Sequence, residues 1–378
     1  MIFIDLSTFL KALRTAFSGR WRSPRRIAWI VISIVAITVV YTVNTVGRLL
    51  DELFFPGYRK VEVPPPLIIT ANPRSGTTLL HRLLCHDEGS FIHLKLYHSL
   101  FPSITLYRIF GFFWWIDHIT GRPFSMVIDL LNRIFFHGWD TIHGMGLGRA
   151  EEDEALFLFN FATPALYMLF PFFREVPELR FSDLLPEWKR RAIARYYLGS
   201  LKRFHYACGG AKRAILMKSV LFHSRMKMVM DIFPDAKVVY LMRHPYEALP
   251  STINMFTAFW RVHSPDIPKD SEHTRKWARL CIDYYLSFHR NRHILDPSRF
   301  VTMLYSYLVK DPAGAVKSIY DTFGMTLAPE YAKRIDEAAA RTNNFRSNHD
   351  YSLEEFGIER EWVFDAMKEI FDEYGLDR

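Results

Sequence analysis

The sequence predicts an α/β domain on a mainly parallel sheet with helices on both faces, preceded by an apolar N-terminal helix. Three observations lead there. Short β-branched or apolar runs alternate with segments whose apolar residues recur every three to four positions. One such run, Leu67 to Thr70, passes through a tight loop straight into a helical pattern at Leu79, Leu80, Leu83 and Leu84. Residues 27–46 contain no charged side chain, and such a run is just long enough to cross a bilayer.

In order, residues 1–26 mix apolar positions (Phe3, Ile4, Phe9, Leu13) with basic ones that cluster towards Arg25 and Arg26. Two readings stay open: an amphipathic helix on a membrane surface, or a loosely ordered tail. Residues 27–46 read as a transmembrane or membrane-anchor helix flanked by Arg25, Arg26 and Arg48. The charge rule puts the N-terminus in the cytoplasm. A cleaved signal peptide fits poorly, because no small-residue cleavage site follows. Residues 61–66, ending in three prolines, read as a linker into a domain covering 64–378.

Leu67 onward is a buried strand stopped by Asn72-Pro73, and a helix starts near Thr77. Residues 91–138 are rich in aromatics, among them Phe101, Tyr107, Phe110, Trp114 and Trp115. Residues 155–173 carry no charge, but Pro164 and Pro171 interrupt them. A second span there would put the Arg74 loop and the Arg243 strand on opposite sides of a membrane. The expectation is therefore a buried or acceptor-lining helix. Helices follow at 187–207, 224–233, from Tyr246, and at 274–292, 312–323, 329–340 and 362–374. Strands are expected at 214–218, 237–243 and 300–304.

Hydrophobic residues make up 49% and aromatics 16% of 378 residues, which permits a large core. A net charge of +8 suits an anionic small ligand or membrane surface. No aromatic-basic RNA-binding pattern is present, so nucleic acid is not expected. Cys85, Cys208 and Cys281 are scattered, without metal-ligand spacing, so neither a disulfide framework nor a metal site is expected.

The loop Pro73-Arg74-Ser75-Gly76-Thr77-Thr78 has the chemistry of a phosphate cradle. A helix start leaves N–H groups unpaired and its dipole favours an anion. Gly76 allows close backbone approach. Ser75, Thr77 and Thr78 add hydroxyls, and Arg74 adds charge. The Walker A ending Gly-Lys-[Ser/Thr] is absent, which counts against transfer of a γ-phosphate. A second element ends the strand at Arg243, where open α/β sheets bind ligands, and Ser251 follows on the next helix. Such a pair can hold a second phosphate.

These two elements, in this order, resemble the sulfotransferase family that uses 3′-phosphoadenosine 5′-phosphosulfate (PAPS). The resemblance covers roughly Pro64 to the C-terminus and implies a P-loop-like fold. It implies that the first motif holds the 5′-phosphosulfate, and that Arg243 and Ser251 hold the 3′-phosphate. Tyr305-Ser306-Tyr307-Leu308-Val309-Lys310-Asp311-Pro312 resembles the family's Tyr-x-x-Leu-Val-x-x-Pro segment, with Tyr305 at a nucleotide-contacting position. Arg346 to Gly357 resembles the C-terminal segment of its large bacterial-type branch, which implicates Ser347 and His349 in closing over the nucleotide.

The implied activity is sulfuryl transfer to a hydroxyl, or alternatively an amine, with no metal required. The expected acceptor is a small molecule or lipid, hydrophobic because of the aromatic stretch 101–136 and residues 155–173. Alternatives are a P-loop nucleotide kinase and a non-catalytic, membrane-tethered nucleotide-binding protein. For the general base, relatives often carry a Glu about twenty residues after the loop, but here that region reads Phe91 to His98 with no carboxylate. Two candidates remain. His98 has a suitable unperturbed pKa. The run Glu151-Glu152-Asp153-Glu154 resembles the branch's acidic motif, and mutual repulsion there would raise a member's pKa. Glu151 and Glu152 are the better placed, with Glu152 ranked ahead of His98. The side of the membrane that the catalytic domain faces, and the oligomeric state, stay open.

Overall fold

The computed structural model describes residues 3–121, 148–208, 212–342 and 351–378. Five strands form one parallel sheet in the order β2-β3-β1-β4-β5: β1 (Leu67–Ala71), β2 (Phe91–His93), β3 (Ala214–Lys218), β4 (Lys237–Met242) and β5 (Phe300–Leu304). All five residues of β1 are buried. The sheet's side chains divide by alternation. Ile68, Ile215, Met217, Val238, Tyr240 and Met242 enter the larger core on one face. Leu67, Ile69, Ala71, Leu216, Val239 and Leu241 enter a smaller core on the other. The smaller core is roofed by helix α3 (Thr77–Leu84) and by the helices Pro312–Thr322 and Pro329–Thr342, through Leu80, Leu84, Ile319 and Ile335.

Most expected elements are present within two residues of their bounds. The short strand β2 and helix α5 (Ile104–Ile119) were hidden in the aromatic stretch. Residues 155–173 are a correction. They form one helical turn at Ala155–Leu158, a left-handed residue at Phe161 and a 3-10 turn at Pro164–Met168. Pro164 and Pro171 lack the N–H that a continuing helix needs. The segment is core: Phe157, Phe161, Tyr167, Phe170, Phe172 and Phe173 are all buried.

The N-terminal segment is helix α1 (Leu6–Ala16), amphipathic as one of its two expected forms had it and not a loosely ordered tail, with one face packed on the domain. Asp5 caps it, accepting from the Thr8 amide at 3.1 Å and pairing with Lys189 at 2.6 Å. Thr8, Ala12 and Ala16 face the larger core, and Phe9 meets Phe161 edge-on. Helix α2 (Pro24–Phe54) follows, starting on Pro24, and is long and apolar enough to cross a membrane. Gly47 lets α5 come close, since a Cβ there would lie 2.7 Å from Ser103 Oγ and 2.8 Å from Leu106 Cγ.

Candidate active site

Chain connections leave β1 towards β3 and β2, and leave β4 towards β5, so the sheet's switch point lies between β1 and β4. Ligands of open α/β sheets bind at that crevice, beyond the carboxyl ends of the strands. The loop after β1 and the residues after β4 meet there. Thr252 Oγ1 donates to the Pro73 carbonyl at 3.0 Å, fixing the loop to the helix Pro245–His263. Arg74 has a φ of +68°, unusual for an L side chain and costly enough to need support from its surroundings. Its Nε donates to Ser251 Oγ at 3.0 Å, and Arg243 Nη1 donates to its carbonyl at 2.7 Å.

Gly76 has a φ of +87°, and a Cβ there would lie 2.5 Å from the Tyr305 ring. The loop therefore needs glycine twice over, for conformation and for space. The Arg243 guanidinium stacks 4.6 Å above the same ring and pairs with Glu247 at 2.9 Å. Arg74, Gly76, Arg243, Ser251 and Tyr305 are thus brought together as the motifs suggested. Burial lowers the Arg74 pKa and the neighbouring Arg243 charge adds to this, yet a guanidinium stays charged. Two guanidinium groups side by side favour an anion between them. The N-cap of α3 is Gly76, which supplies no side-chain cap, so the first-turn amides are left to a ligand. Ser75 and Thr77 are buried behind the loop, and Thr78 is half-buried at its edge. Ser347 and His349 lie outside the described residues.

Sequence reasoning missed Lys218. It ends β3, and its side chain is 1% exposed. Its Nζ lies 3.3 Å from Thr78 Oγ1, 3.5 Å from Glu151 Oε2 and 3.4 Å from Glu152 Oε1. A lysine closing an apolar strand at its carboxyl end was the available signal. The ammonium joins the anion loop to the acidic run, so Thr78 Oγ1 and Glu152 Oε1 stand within about 7 Å of each other, the two contacts laid end to end.

The acidic run is not the cluster of repelling carboxylates that its sequence suggested. Backbone bonds from Glu151 N to the Leu94 carbonyl and from Asp153 N to the Lys218 carbonyl, at 3.0 and 3.1 Å, thread it across the sheet end. Its four side chains then part. Glu151 and Glu152 turn to Lys218, Asp153 accepts from Tyr197 OH at 2.7 Å, and Glu154 pairs with Arg225 and Thr163. Burial, rather than repulsion, is the main cause that pushes Asp153 and Glu154 up. Glu152, 23% exposed against 9% for Glu151, is the more open of the pair at the lysine.

The premise for His98 also changes. Burial, helped by the charges of Lys95 and His93, pushes its pKa down to about 3. Its Nδ1 accepts from the Lys95 amide at 3.1 Å, and its ring packs among Tyr97, Tyr107 and Phe204. An imidazole so weakly basic is poorly suited to take a hydroxyl proton near neutrality.

A glycine loop at the switch point of a parallel sheet, flanked by two arginines and a lysine-carboxylate pair, is a P-loop-like arrangement suited to an anion. Comparison with known proteins narrows the class. Residues 149–329 match the model of the sulfotransferase family. Over 356 residues the chain is 26% identical to omega-hydroxy-beta-dihydromenaquinone-9 sulfotransferase Stf3 of Mycobacterium bovis, and equally to that of Mycobacterium tuberculosis. These alignments cover 90% of this chain and 84% of each relative. The fold is similar to the crystal structure of sulfotransferase STF9 from Mycobacterium avium, with a TM-score of 0.72 at 18% identity, covering 100% of this chain and 98% of that one. STF1 from Mycobacterium tuberculosis gives 0.68 at 18% identity, over 96% and 91% of the chains. The family match, the two relatives and the fold together support a sulfotransferase.

Proposed function

We propose that this enzyme moves the sulfuryl group of PAPS to the hydroxyl of a hydrophobic, membrane-resident acceptor, with Lys218 and Glu152 at the reacting centre. The observation that carries the proposal is the single buried ammonium touching both Thr78 of the anion loop and the Glu151-Glu152 pair. Arg243 and Ser251 hold the 3′-phosphate of the donor, and Arg74 meets the charge on its leaving group. Ser75, Gly76, Thr77 and Thr78, with the α3 amides, hold the 5′-phosphosulfate. Tyr305 packs against the loop and the nucleotide.

In the reaction the sulfur–oxygen bond to the phosphate breaks while a bond forms from sulfur to the acceptor oxygen. Glu152 takes the hydroxyl proton. Lys218 neutralises negative charge that grows on the transferring and leaving oxygens, an effect largest in a buried site. The arginines and the loop amides contribute mainly position.

Two observations support an apolar acceptor. Those Mycobacterium relatives are named for sulfating a hydroxylated dihydromenaquinone. An aromatic wall also leads to the acidic run. Helix α4 (Leu96–Leu100) is joined to that run by the Lys95–Ala150 bridge and by Ser99 Oγ donating to the Glu152 carbonyl at 3.0 Å. On α4, Tyr97 contacts Phe110 and Trp114 of α5 at 5.9 and 5.7 Å between ring centres. Helix α2, uncharged over residues 27–46, holds the enzyme where such an acceptor resides. Untargeted mass spectrometry of lipid extracts, with and without the enzyme, should show a new species heavier by one sulfate. Efficient sulfation of only small water-soluble sugars would overturn the acceptor class.

A further inference from the structure

We infer that α2 does not cross the membrane, and that α2 and α5 together form a monotopic foot whose one occupant is a lipid bilayer. The inference deepens the anchoring proposed above but does not depend on the sulfuryl chemistry. Its basis is that both ends of α2 are tied to the same domain. Near the N-terminal end, Arg26 is 1% exposed and donates to Ser264 Oγ at 2.7 Å and the Trp21 carbonyl at 2.6 Å, and it pairs with Asp266. Near the other end, Arg48 is 2% exposed and donates to Ser200 Oγ at 2.8 Å and the Pro102 carbonyl at 3.2 Å. One turn on, Asp51 accepts from Arg203 at 2.9 Å and from the Ile104 and Thr105 amides at 3.0 and 2.8 Å, capping α5.

Arg26 and Arg48 are about 33 Å apart along a helix that rises ~1.5 Å per residue. That distance is close to the ~30 Å thickness of a bilayer's hydrocarbon core. A spanning α2 would put the partners of Arg26 and those of Arg48 on opposite sides of the membrane. All of those partners belong to one continuously packed domain, so a crossing requires one buried set of bonds to break.

Between its tethers α2 still shows an apolar stripe to the outside: Val35, Val39, Val43 and Val46 are all exposed. Helix α5, packed beside it at Gly47, exposes Phe112, Trp115 and Ile119 by 56 to 59%. Neighbouring exposed apolar helices of this extent mark an interaction surface. Charge selects the occupant. From Pro24 to Leu50 there is no carboxylate, while Arg14, Arg22 and Arg25 are exposed at the edge where α2 begins. An apolar face bordered by cations fits acyl chains beneath anionic headgroups, with the helix lying in the interface. The N-terminal segment and the catalytic site then share one face of the membrane. The α5 aromatics then dip towards the lipid that carries the acceptor.

Full-length protein added from detergent to preformed vesicles of phosphatidylglycerol and phosphatidylethanolamine tests this. Ser18→Cys and Lys60→Cys, on exposed residues before and after α2, are treated with a membrane-impermeant maleimide and compared with the parent chain. Both positions should label to the same extent before and after permeabilisation. Labelling of one only after permeabilisation means that α2 spans, and overturns the inference. Two surface variants follow, Val35→Glu with Val39→Glu, and Phe112→Glu with Trp115→Glu. Each pair should lower vesicle binding at least tenfold without changing thermal unfolding. Unchanged binding by the α5 pair overturns the two-helix foot. A detergent-free dimer closed by these faces, or a soluble monomer that ignores vesicles, overturns the bilayer as occupant. Transfer to a water-soluble acceptor is measured in parallel, so loss of catalysis and loss of docking read out separately.

Discussion

Replacing Lys218 by Met keeps the length of the side chain and removes its charge. In the wild type the ammonium is buried, within hydrogen-bond reach of Thr78 and within ion-pair reach of Glu151 and Glu152. Two costs follow. Leaving partly buried carboxylates without their cation should destabilise the fold by about 3 kcal/mol, towards the low end for breaking a buried pair because Glu152 keeps some solvent. Losing a preorganised positive donor at the reacting oxygens should slow transfer by about 10²–10³-fold, or ~2.7–4 kcal/mol of barrier. Single-turnover sulfate transfer at saturating PAPS reads the second effect, and thermal unfolding reads the first. PAPS affinity, which the proposal assigns mainly to Arg74, Arg243 and Ser251, should change less than about fivefold, below the cost of a lost charge-assisted bond. A variant that transfers at the parental rate would refute the role of Lys218. So would a rate loss wholly recovered by raising PAPS, since the lysine would then serve binding alone.

Four further outcomes can be checked. Gly76→Ala should abolish measurable PAPS binding by calorimetry; Gly76→Ala with Tyr305→Ala should recover only part of it, because the extra ring contact is relieved while the φ of +87° is not. Arg74→Ala and Ser251→Ala should each weaken PAPS binding, Arg74 more, by about 1.5–3 kcal/mol per lost charge-assisted bond. Glu152→Gln should lose about 10²–10⁴-fold in single-turnover rate at unchanged PAPS affinity, whereas His98→Gln should leave the chemical step within about threefold of the parent. Acid should destabilise the enzyme through His81, His98 and His223, each of which burial holds down to about 3. The unfolded chain binds these protons near 6.5 and the native one does not. Stability therefore falls as pH drops through 6.5 towards 3, by roughly 2 kcal/mol per histidine at pH 5. Chemical denaturation at pH 7 and pH 5 should show this loss, and His223→Asn should reduce it by one histidine's share.

Four of the five strands and the glycine loop after β1 were legible because their signals are local. Four apolar residues and Thr70 between the prolines and Asn72 can bury both faces only as an inner strand. A glycine before a helical repeat gives an uncapped, anion-seeking helix start whatever lies around it. Arg243 and Ser251 could be placed from sequence because strand β4 and its helix fix their direction. Strand β2 was lost because three residues are too few to show a period, and α5 because its apolar residues surround it on nearly every side.

By itself the sequence determined the alternation of strand and helix, the glycine loop after β1, the placing of Arg243 and Ser251 after β4, and an apolar N-terminal helix. Each depends on chemistry within about one helical turn or one strand. Tertiary structure alone decided which groups are buried and what they face. It put Lys218 between Thr78 and the Glu151-Glu152 pair, parted the four acids, and closed His98 into an aromatic nest that lowers its basicity. It also tied Arg26 to Asp266 and Asp51 to Arg203 across separations of 240 and 152 residues. A side chain's charge, exposure and partners come from atoms that the fold brings near, and no local pattern records which those will be.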